Sequence, residues 1–288
     1  MSGLVGTYLR DRRQLLRPAD VNLRLYPGRR RVAGLRREEV AELAGISPEY
    51  YVRLEQGRGH QPSAQVLGAL GRALQLGPDA RAYLRRLARL DAGETPADQP
   101  PTCARDRSLT ALVDVLTFLP AVVVDRNQDV VAANGMAARI CDPALAVGAN
   151  AAVEAFSRRD DARWERGAAA ALAALRFHAD PRGRRFAEVV DELSDVGGAR
   201  FAELWARHEA RRLTPGPVVL GTGQERWELR LQPLDVPACP GATLLLLSAP
   251  PGTREAHELG RMAAAERRAD LTADTDLATD PARLPVGT

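Results

Sequence analysis

Apolar residues in the first ninety positions recur every three or four residues, which is the spacing of amphipathic helices. The first helix is predicted over about Leu4–Leu16, and Pro18 helps to end it. A polar, arginine-rich connection follows it. Four further helices are predicted over about Arg36–Ala44, Pro48–Gln56, Ser63–Leu74 and Pro78–Leu90. The pattern therefore predicts an all-α domain of five helices over residues 1–90.

The segment around Gly45 has the signature of a turn between two crossed helices. Glycine takes a positive φ easily, Ser47 is a favoured helix cap, and Pro48 fits a first helical turn because it lacks an N–H. Small or apolar side chains stand where the two helices must pack: Val40, Ala41, Ala44, Ile46, Tyr51 and Leu54. The remaining face of the second helix is free to meet base edges in a DNA major groove. It carries Glu49, Val52, Arg53 and Gln56.

Residues 91–108 contain proline and glycine and predict a linker. After it come a predicted helix over about Leu109–Phe118, a hairpin of two short apolar runs over 121–125 and 129–133, and a helix that Asn134 opens. Alanine-rich helices are predicted over about Ala151–Phe156, Arg163–Arg176, Phe186–Leu193 and Ala199–His208. Strands are predicted over Pro217–Leu220, Arg226–Leu231 and Ala242–Leu247.

This order of elements predicts an α+β domain over residues 109–253, with an antiparallel sheet flanked by helices. A closing helix is predicted over about Arg254–Arg267. The polar and aperiodic residues 268–288 predict a disordered tail.

The distribution of charge points to a polyanion as a partner of the first domain. Residues 1–90 carry 17 arginines against eight acidic residues, whereas the whole chain has a net charge of only +3. Lysine is absent throughout, so the abundance of arginine alone argues nothing, but the asymmetry between the two halves persists. The alternative is a helical bundle with a solvated arginine face.

Neither the cysteines nor the histidines suggest a metal or an active site. Cys103, Cys141 and Cys239 are far apart, which predicts free thiols in a reducing compartment. The four histidines are equally scattered, and the chain has no nucleophile elbow and no phosphate-binding loop. There is no signal-peptide pattern and no apolar run of about 18 residues. We therefore expect a cytoplasmic protein with no enzymatic activity, no cofactor and no membrane contact.

The segment Arg31–Arg58 resembles XRE-type helix-turn-helix regulators, and more narrowly their MmyB-like group, over about residues 4–90. The resemblance implies that Ser47, Glu49, Val52 and Arg53 face DNA and that Glu55 pairs with Arg13. Arg36 and Arg37 open the second helix as candidates for phosphate contacts, although Arg37 replaces the glutamine usual in the family. Further candidates for contacts to the DNA backbone are Arg58, Gln61 and Ser63.

A weaker resemblance to the PAS-like second domain of the MmyB-like group covers about residues 109–250. Its supports are Leu119-Pro120-Ala121, Ala132-Ala133-Asn134 and Leu204-Trp205-Ala206-Arg207-His208-Glu209, but Ala133 replaces the tryptophan usual before the asparagine. The resemblance implies a cavity for an apolar or amphipathic molecule such as a fatty acid or a secondary metabolite. The candidate lining residues are Phe118, Asn134, Phe156, Trp164, Trp205, His208 and Trp227.

Each of these lining residues also has a structural interpretation. The aromatic rings fit an ordinary core, Asn134 fits a helix cap, and His208 fits a structural hydrogen bond. For the whole chain we expect a transcription regulator that binds a double-stranded DNA operator as a homodimer and responds to a small-molecule effector. The alternatives are a second domain that only dimerises or binds a protein partner, and an enzyme domain fused to a DNA anchor.

Overall fold

The structure is a computed structural model that describes residues 3–21, 33–58, 60–94, 107–141, 145–157, 164–221, 226–237 and 239–278. Contacts divide the chain into two units. Unit 1 comprises Met1–Pro100 and Ala155–Leu213, and unit 2 comprises Pro101–Glu154 and Thr214–Thr288. Unit 1 therefore contains a segment from the middle of the predicted 109–253 domain.

The helices are α1 (Leu4–Leu15), α2 (Arg37–Ala44), α3 (Pro48–Glu55), α4 (Ala64–Ala73), α5 (Pro78–Asp91), α6 (Arg107–Val115), α7 (Gly135–Cys141), α8 (Ala151–Ser157), α9 (Trp164–His178), α10 (Arg184–Trp205) and α11 (Arg254–Ala278). The strands are β1 (Ala121–Val124), β2 (Val130–Ala133), β3 (Gly216–Leu220), β4 (Trp227–Asp235) and β5 (Thr243–Ser248). The five helices predicted for the N-terminal domain are confirmed, each close to its predicted bounds.

The turn between α2 and α3 forms as its residues predict. Gly45 has φ 65°, the left-handed conformation that costs glycine little. The Ser47 Oγ accepts a hydrogen bond from the Tyr50 N–H at 3.2 Å, and Pro48 occupies the first turn of α3. The side chains predicted to hold the motif together lie in the core of unit 1, with Val40 and Tyr51 fully buried.

The segment Ala155–Leu213 packs with these N-terminal helices in one unit. Phe177 at the end of α9 and Ala210 after α10 are buried in the same apolar cluster as α1 to α5. The sequence predicts two helices where α10 is a single helical run interrupted at Gly198, whose φ of 54° and ψ of −136° are not helical. The conformation requires glycine and explains why the apolar periodicity breaks there.

Unit 2 contains an antiparallel sheet of five strands among the described residues, in the order β2-β1-β5-β4-β3. The predicted hairpin is β1 and β2, and β1 is buried along its whole length. Helix α6 contacts β1 and β2, α7 contacts β1, and α11 contacts β4. The α+β architecture predicted for the second half is therefore confirmed.

Three expectations are wrong in detail. Helix α6 ends at Val115, before Phe118, because Asn134 hydrogen-bonds the carbonyls that follow. Helix α11 continues to Ala278, so the disordered tail expected from residue 268 is wrong up to that point; residues 279–288 lie outside the described part. Cys141 is buried and is not part of a disulfide, but Cys239 is disulfide-bonded, contrary to the expectation of free thiols. Cys103 lies outside the described residues.

Candidate functional site

One face of α3 is open to solvent while the other is buried. Glu49, Arg53 and Gln56 are exposed and Val52 is half-buried, whereas Tyr51 on the other face has no exposed surface. The Arg53 guanidinium lies 5.9 Å from the centre of the Tyr50 ring. The four side chains that the sequence assigns to base reading are therefore together on one accessible surface.

The end of α3 is fixed by Glu55, whose carboxylate has no exposed surface. Its Oε1 accepts from Arg13 Nε and its Oε2 from Arg37 Nε, each at 2.7 Å. Burial acts to raise the pKa of Glu55, but the hydrogen bonds from the two arginines outweigh it and hold the pKa below its ordinary value. The predicted pair of Glu55 with Arg13 is confirmed, and Arg37 is a second partner that the sequence did not indicate.

Helix α1 touches the end of α3 at further points. A Cβ at Gly6 would lie 2.5 Å from the Glu55 carbonyl oxygen and 2.6 Å from that of Leu54. The Arg10 Nη2 donates to the same Glu55 carbonyl at 3.1 Å. A glycine inside an otherwise regular helix is the signal in the sequence that two backbones approach closely here.

The other predicted DNA contacts surround this helix pair. Arg36 precedes α2, and its backbone N–H donates to Glu39 Oε2 at 2.6 Å. Arg58 and Gln61 are exposed after α3, and Ser63 caps α4 by accepting from the Val66 N–H at 3.3 Å. Arg37 is half-exposed beside Glu55. Contact of these residues with DNA stays a prediction.

The predicted ligand residues are divided between the two units. Phe156, Trp164, Trp205 and His208 belong to unit 1, and Phe118, Asn134 and Trp227 belong to unit 2. The structure thus brings together only part of the predicted set.

In unit 1 the rings pack against one another. Phe156 is fully buried and meets Trp164 edge-on at a centroid distance of 5.4 Å and Phe201 at 6.0 Å. Phe201 in turn stacks on Trp205 at 5.5 Å. Such packing matches the interpretation of these rings as core, because each ring contacts another at the favoured separations.

Arg176 is a buried cation that the sequence did not single out. Its guanidinium lies 3.7 Å from the centre of the Trp205 ring and donates to the carbonyl oxygens of Trp205 and Glu209. Burial lowers its pKa to about 10. His208 lies nearby with its Nδ1 3.3 Å from Asp11 Oδ2, and burial keeps the pKa of this histidine below its ordinary value.

In unit 2, Asn134 acts as a structural junction. Its Oδ1 accepts from the N–H of Ala121 at 3.1 Å and that of Ala137 at 2.9 Å. Its Nδ2 donates to the carbonyls of Leu116 at 2.7 Å and Leu119 at 2.8 Å. The amide thus uses both donors and both lone pairs, and the alternative of a helix cap is confirmed.

Phe118 is 54% exposed and Trp227, the first residue of β4, is half-buried. An open cleft of about 510 Å³ does occur in unit 1, but none of the seven predicted ligand residues lines it. Its walls are Arg12, Gly77, Pro78, Asp79, Ala80, Glu209, Ala210 and Arg211. Within the described residues, no cluster suits a metal ion and no helix is long and apolar enough to cross a membrane.

A helix-turn-helix with one open recognition face, joined to a separate α+β sheet domain, defines a DNA-binding transcription regulator. The helix-turn-helix domain family profile matches residues 4–84. The profile of the MmyB-like transcription regulator ligand binding domain matches residues 106–262, more than half of the chain, and the protein belongs to this family. A comparison with curated proteins gives no match.

Proposed function

We propose that this regulator binds a near-palindromic double-stranded DNA operator as a homodimer, and that a small apolar or amphipathic effector changes its affinity for that operator. The solvent-exposed face of α3 is the observation that supports DNA binding. Glu49, Arg53 and Gln56 are exposed on a helix whose first turn is capped by Ser47 and whose last residue, Glu55, is bound by Arg13.

The chemistry of this face suits direct reading of bases, as in XRE-type regulators. Glu49 can accept from a cytosine amino group, Arg53 can donate to guanine, and the Val52 methyl groups can contact thymine. Arg36, Arg58, Gln61 and Ser63 surround the face at positions suited to phosphate contacts, which set register without reading sequence. Arg37 uses its Nε for Glu55 and has further N–H groups for phosphate.

A homodimer follows from the small size of one recognition face. A single helix in the major groove reads one half-site, and two such helices about one helical turn apart read a palindrome. The MmyB-like domain supplies the second part of the proposal, because its family is named for ligand binding. A fatty acid or a secondary metabolite is the proposed effector class, held in a PAS-like sheet domain.

One observation favours the alternative in which the second domain binds no ligand. The aromatic cluster in unit 1 is filled by its own rings, and the amide of Asn134 is fully used. A thermal-shift series with saturated fatty acids of graded chain length distinguishes ligand sensing from a second domain that binds no ligand. A rise in melting temperature that grows with concentration supports sensing. A domain that no chain length stabilises argues for the dimerisation or protein-partner role.

Genome-wide mapping of bound DNA identifies the operator, and binding to it is then measured for two arginine variants. Arg53→Ala should lose discrimination at one base pair by about 1–3 kcal/mol. Arg58→Ala should weaken binding to every sequence and flatten the salt dependence. Arg184→Ala is the matched control, because this exposed arginine bonds only Glu188 in its own helix among the described contacts. Unchanged specificity in Arg53→Ala would remove its base-reading role.

A further inference from the structure

Asp91, the last residue of α5, serves as the cap of α1. The residue before α1 is Gly3, which has no side chain to cap the helix. Instead, Asp91 Oδ1 accepts from the Leu4 N–H at 3.0 Å and Oδ2 accepts from the Val5 N–H at 2.9 Å. An aspartate is unfavourable at the C-terminal end of its own helix but favourable at the N-terminal end of another. Its position is therefore explained by α1 rather than by α5.

Arg182, in the turn between α9 and α10, binds the same carboxylate. Its Nη2 donates to Asp91 Oδ1 and its Nη1 to the Leu90 carbonyl, each at 2.7 Å. The opposite contact is made by Arg86 of α5, which donates to the carbonyls of Phe177 at 2.6 Å and Ala179 at 2.8 Å. Arg182 thus binds a carbonyl at the C-terminal end of α5, and Arg86 of α5 binds carbonyls at the C-terminal end of α9. The helix dipole favours a cation at both of these places.

The other side of α1 holds the end of the recognition helix. Gly6 lies against the carbonyls of Leu54 and Glu55, Arg10 donates to the Glu55 carbonyl, and Arg13 pairs with its carboxylate. One rigid helix of twelve residues therefore connects the cap at Asp91 to the last turn of α3. A shift of α1 at its first turn moves the groups that fix α3.

We propose that Arg182 and Asp91 are positioning residues for the recognition helix, so that the α9–α10 segment of the ligand-binding domain sets operator affinity through α1. The proposal rests on the proposed DNA binding by α3. It also gives any effector that displaces the turn between α9 and α10 a contiguous route to the DNA-reading face. Residues that lie along such routes without touching either ligand change binding by about 2- to 30-fold.

Replacing Arg182 removes the positive charge that compensates the Asp91 carboxylate. Without the Arg182 guanidinium, the carboxylate lies beside the negative end of α5 with no other cation bonded to it among the described residues. Its hydrogen bonds to the first N–H groups of α1 then weaken. Arg182→Lys keeps the charge but cannot reach both the carboxylate and the Leu90 carbonyl with one planar group. We therefore expect a partial effect from lysine and the full effect from alanine.

The test uses the full chain and two readouts. Fluorescence anisotropy gives the ratio of affinities for the operator and for random duplex DNA, and hydrogen exchange gives the protection of the amides at residues 54–56. The variants are Arg182→Ala, Arg182→Lys, Asp91→Ala and the double alanine variant. Arg184→Ala is the matched control, since its side chain is 93% exposed and pairs with Glu188 of the same helix.

We expect Arg182→Ala to lower the operator-to-random ratio by about 3-fold or more and to lower protection at residues 54–56. Arg184→Ala should change neither. The double variant should add little to Asp91→Ala, because Arg182 acts on α1 through the Asp91 carboxylate. A general loss of stability would reduce binding to both DNAs alike and leave the ratio unchanged.

An Arg182→Ala variant that matches Arg184→Ala in either the affinity ratio or the exchange protection overturns the inference. The exchange measurement contains no DNA, so it decides the positioning role by itself. A wild-type protein with no preference for any operator would overturn the proposed function, while reduced exchange protection in Arg182→Ala would still support the positioning of the recognition helix by Arg182 through Asp91 and α1.

Discussion

Replacing Glu55 by glutamine removes one negative charge from the motif at nearly constant volume. The carboxylate is fully buried, and the Arg13 side chain that it binds is only 8% exposed. Removing one partner of a buried ion pair costs about 3–5 kcal/mol, because the other charge is left buried without compensation. Arg37 is 46% exposed and can turn to water, so it adds little. We expect Glu55→Gln to lose about 3 kcal/mol of unfolding free energy.

The measurement is urea unfolding followed by circular dichroism at neutral pH, with Glu49→Gln as the control. Glu49 is an exposed glutamate of the same helix, so its substitution should cost less than about 1 kcal/mol. If the free energies of unfolding of Glu55→Gln and Glu49→Gln differ by less than about 0.5 kcal/mol, the buried pair does not stabilise the motif as assigned.

The same pair predicts a pH dependence with a defined sign. The pKa of Glu55 is below its ordinary value in the folded state, so the folded protein binds fewer protons in acid than the unfolded chain. The contribution is fully present above the ordinary glutamate pKa of about 4.3 and is lost as the pH falls through the lower folded value. The stability gap between wild type and Glu55→Gln should narrow in acid. A constant gap would contradict the role of the charge.

Four further substitutions test the packing, the backbone conformation and the hydrogen bonds. Gly6→Ala places a Cβ against two carbonyl oxygens of α3 and should lower the free energy of unfolding by about 1–3 kcal/mol or more. Gly167→Ala is the control in α9, where a Cβ meets nothing within 4 Å, and it should raise the free energy of unfolding by about 0.5–1 kcal/mol. Equal effects of the two variants would refute the close approach of α1 to α3. Gly198→Ala should cost about 1–3 kcal/mol because φ is 54°, and a neutral result in the same unfolding assay would deny that strain. Asn134→Ala should lose about 2–4 kcal/mol in melting of the sheet domain, and a smaller loss would mean that its hydrogen bonds are replaceable.

The helix-turn-helix could be predicted from the sequence because its signals are local. Gly45, Ser47 and Pro48 each fix their own turn of backbone, and the apolar spacing of α2 and α3 defines the buried face. The pairing of Glu55 with Arg13 came from the resemblance to a known family rather than from spacing, since the two residues are 42 positions apart.

The roles of Asp91 and Arg182 could not be predicted in this way. They depend on which helix ends meet in space, and periodicity within one helix does not report that. The one local signal is the aspartate at the C-terminal end of α5, where the helix dipole disfavours it. It would have indicated a long-range partner without naming α1.

The division of the second half between two units was also outside the reach of the sequence. The strands and alanine-rich helices of the second half predict one α+β domain. The sequence pattern shows which face of each element is apolar, but it does not show which core that face packs into. Nothing in the sequence around Phe177 and Ala210 indicates that they pack in the core formed by α1 to α5. The hairpin of β1 with β2 and the antiparallel sheet are confirmed, since apolar runs and turns are local features, whereas the pairing of β1 with β5 was not predicted.

Selection of duplexes from a random library with the full chain shows whether the open face of α3 reads DNA in a homodimer. We expect one inverted-repeat motif with half-site centres about one helical turn, or about 10–10.5 base pairs, apart. In Arg53→Ala the preference at one base pair of each half-site should disappear while the rest of the motif persists. If Arg53→Ala reproduces the wild-type motif at every position, or if no motif emerges, α3 does not read bases in the way proposed.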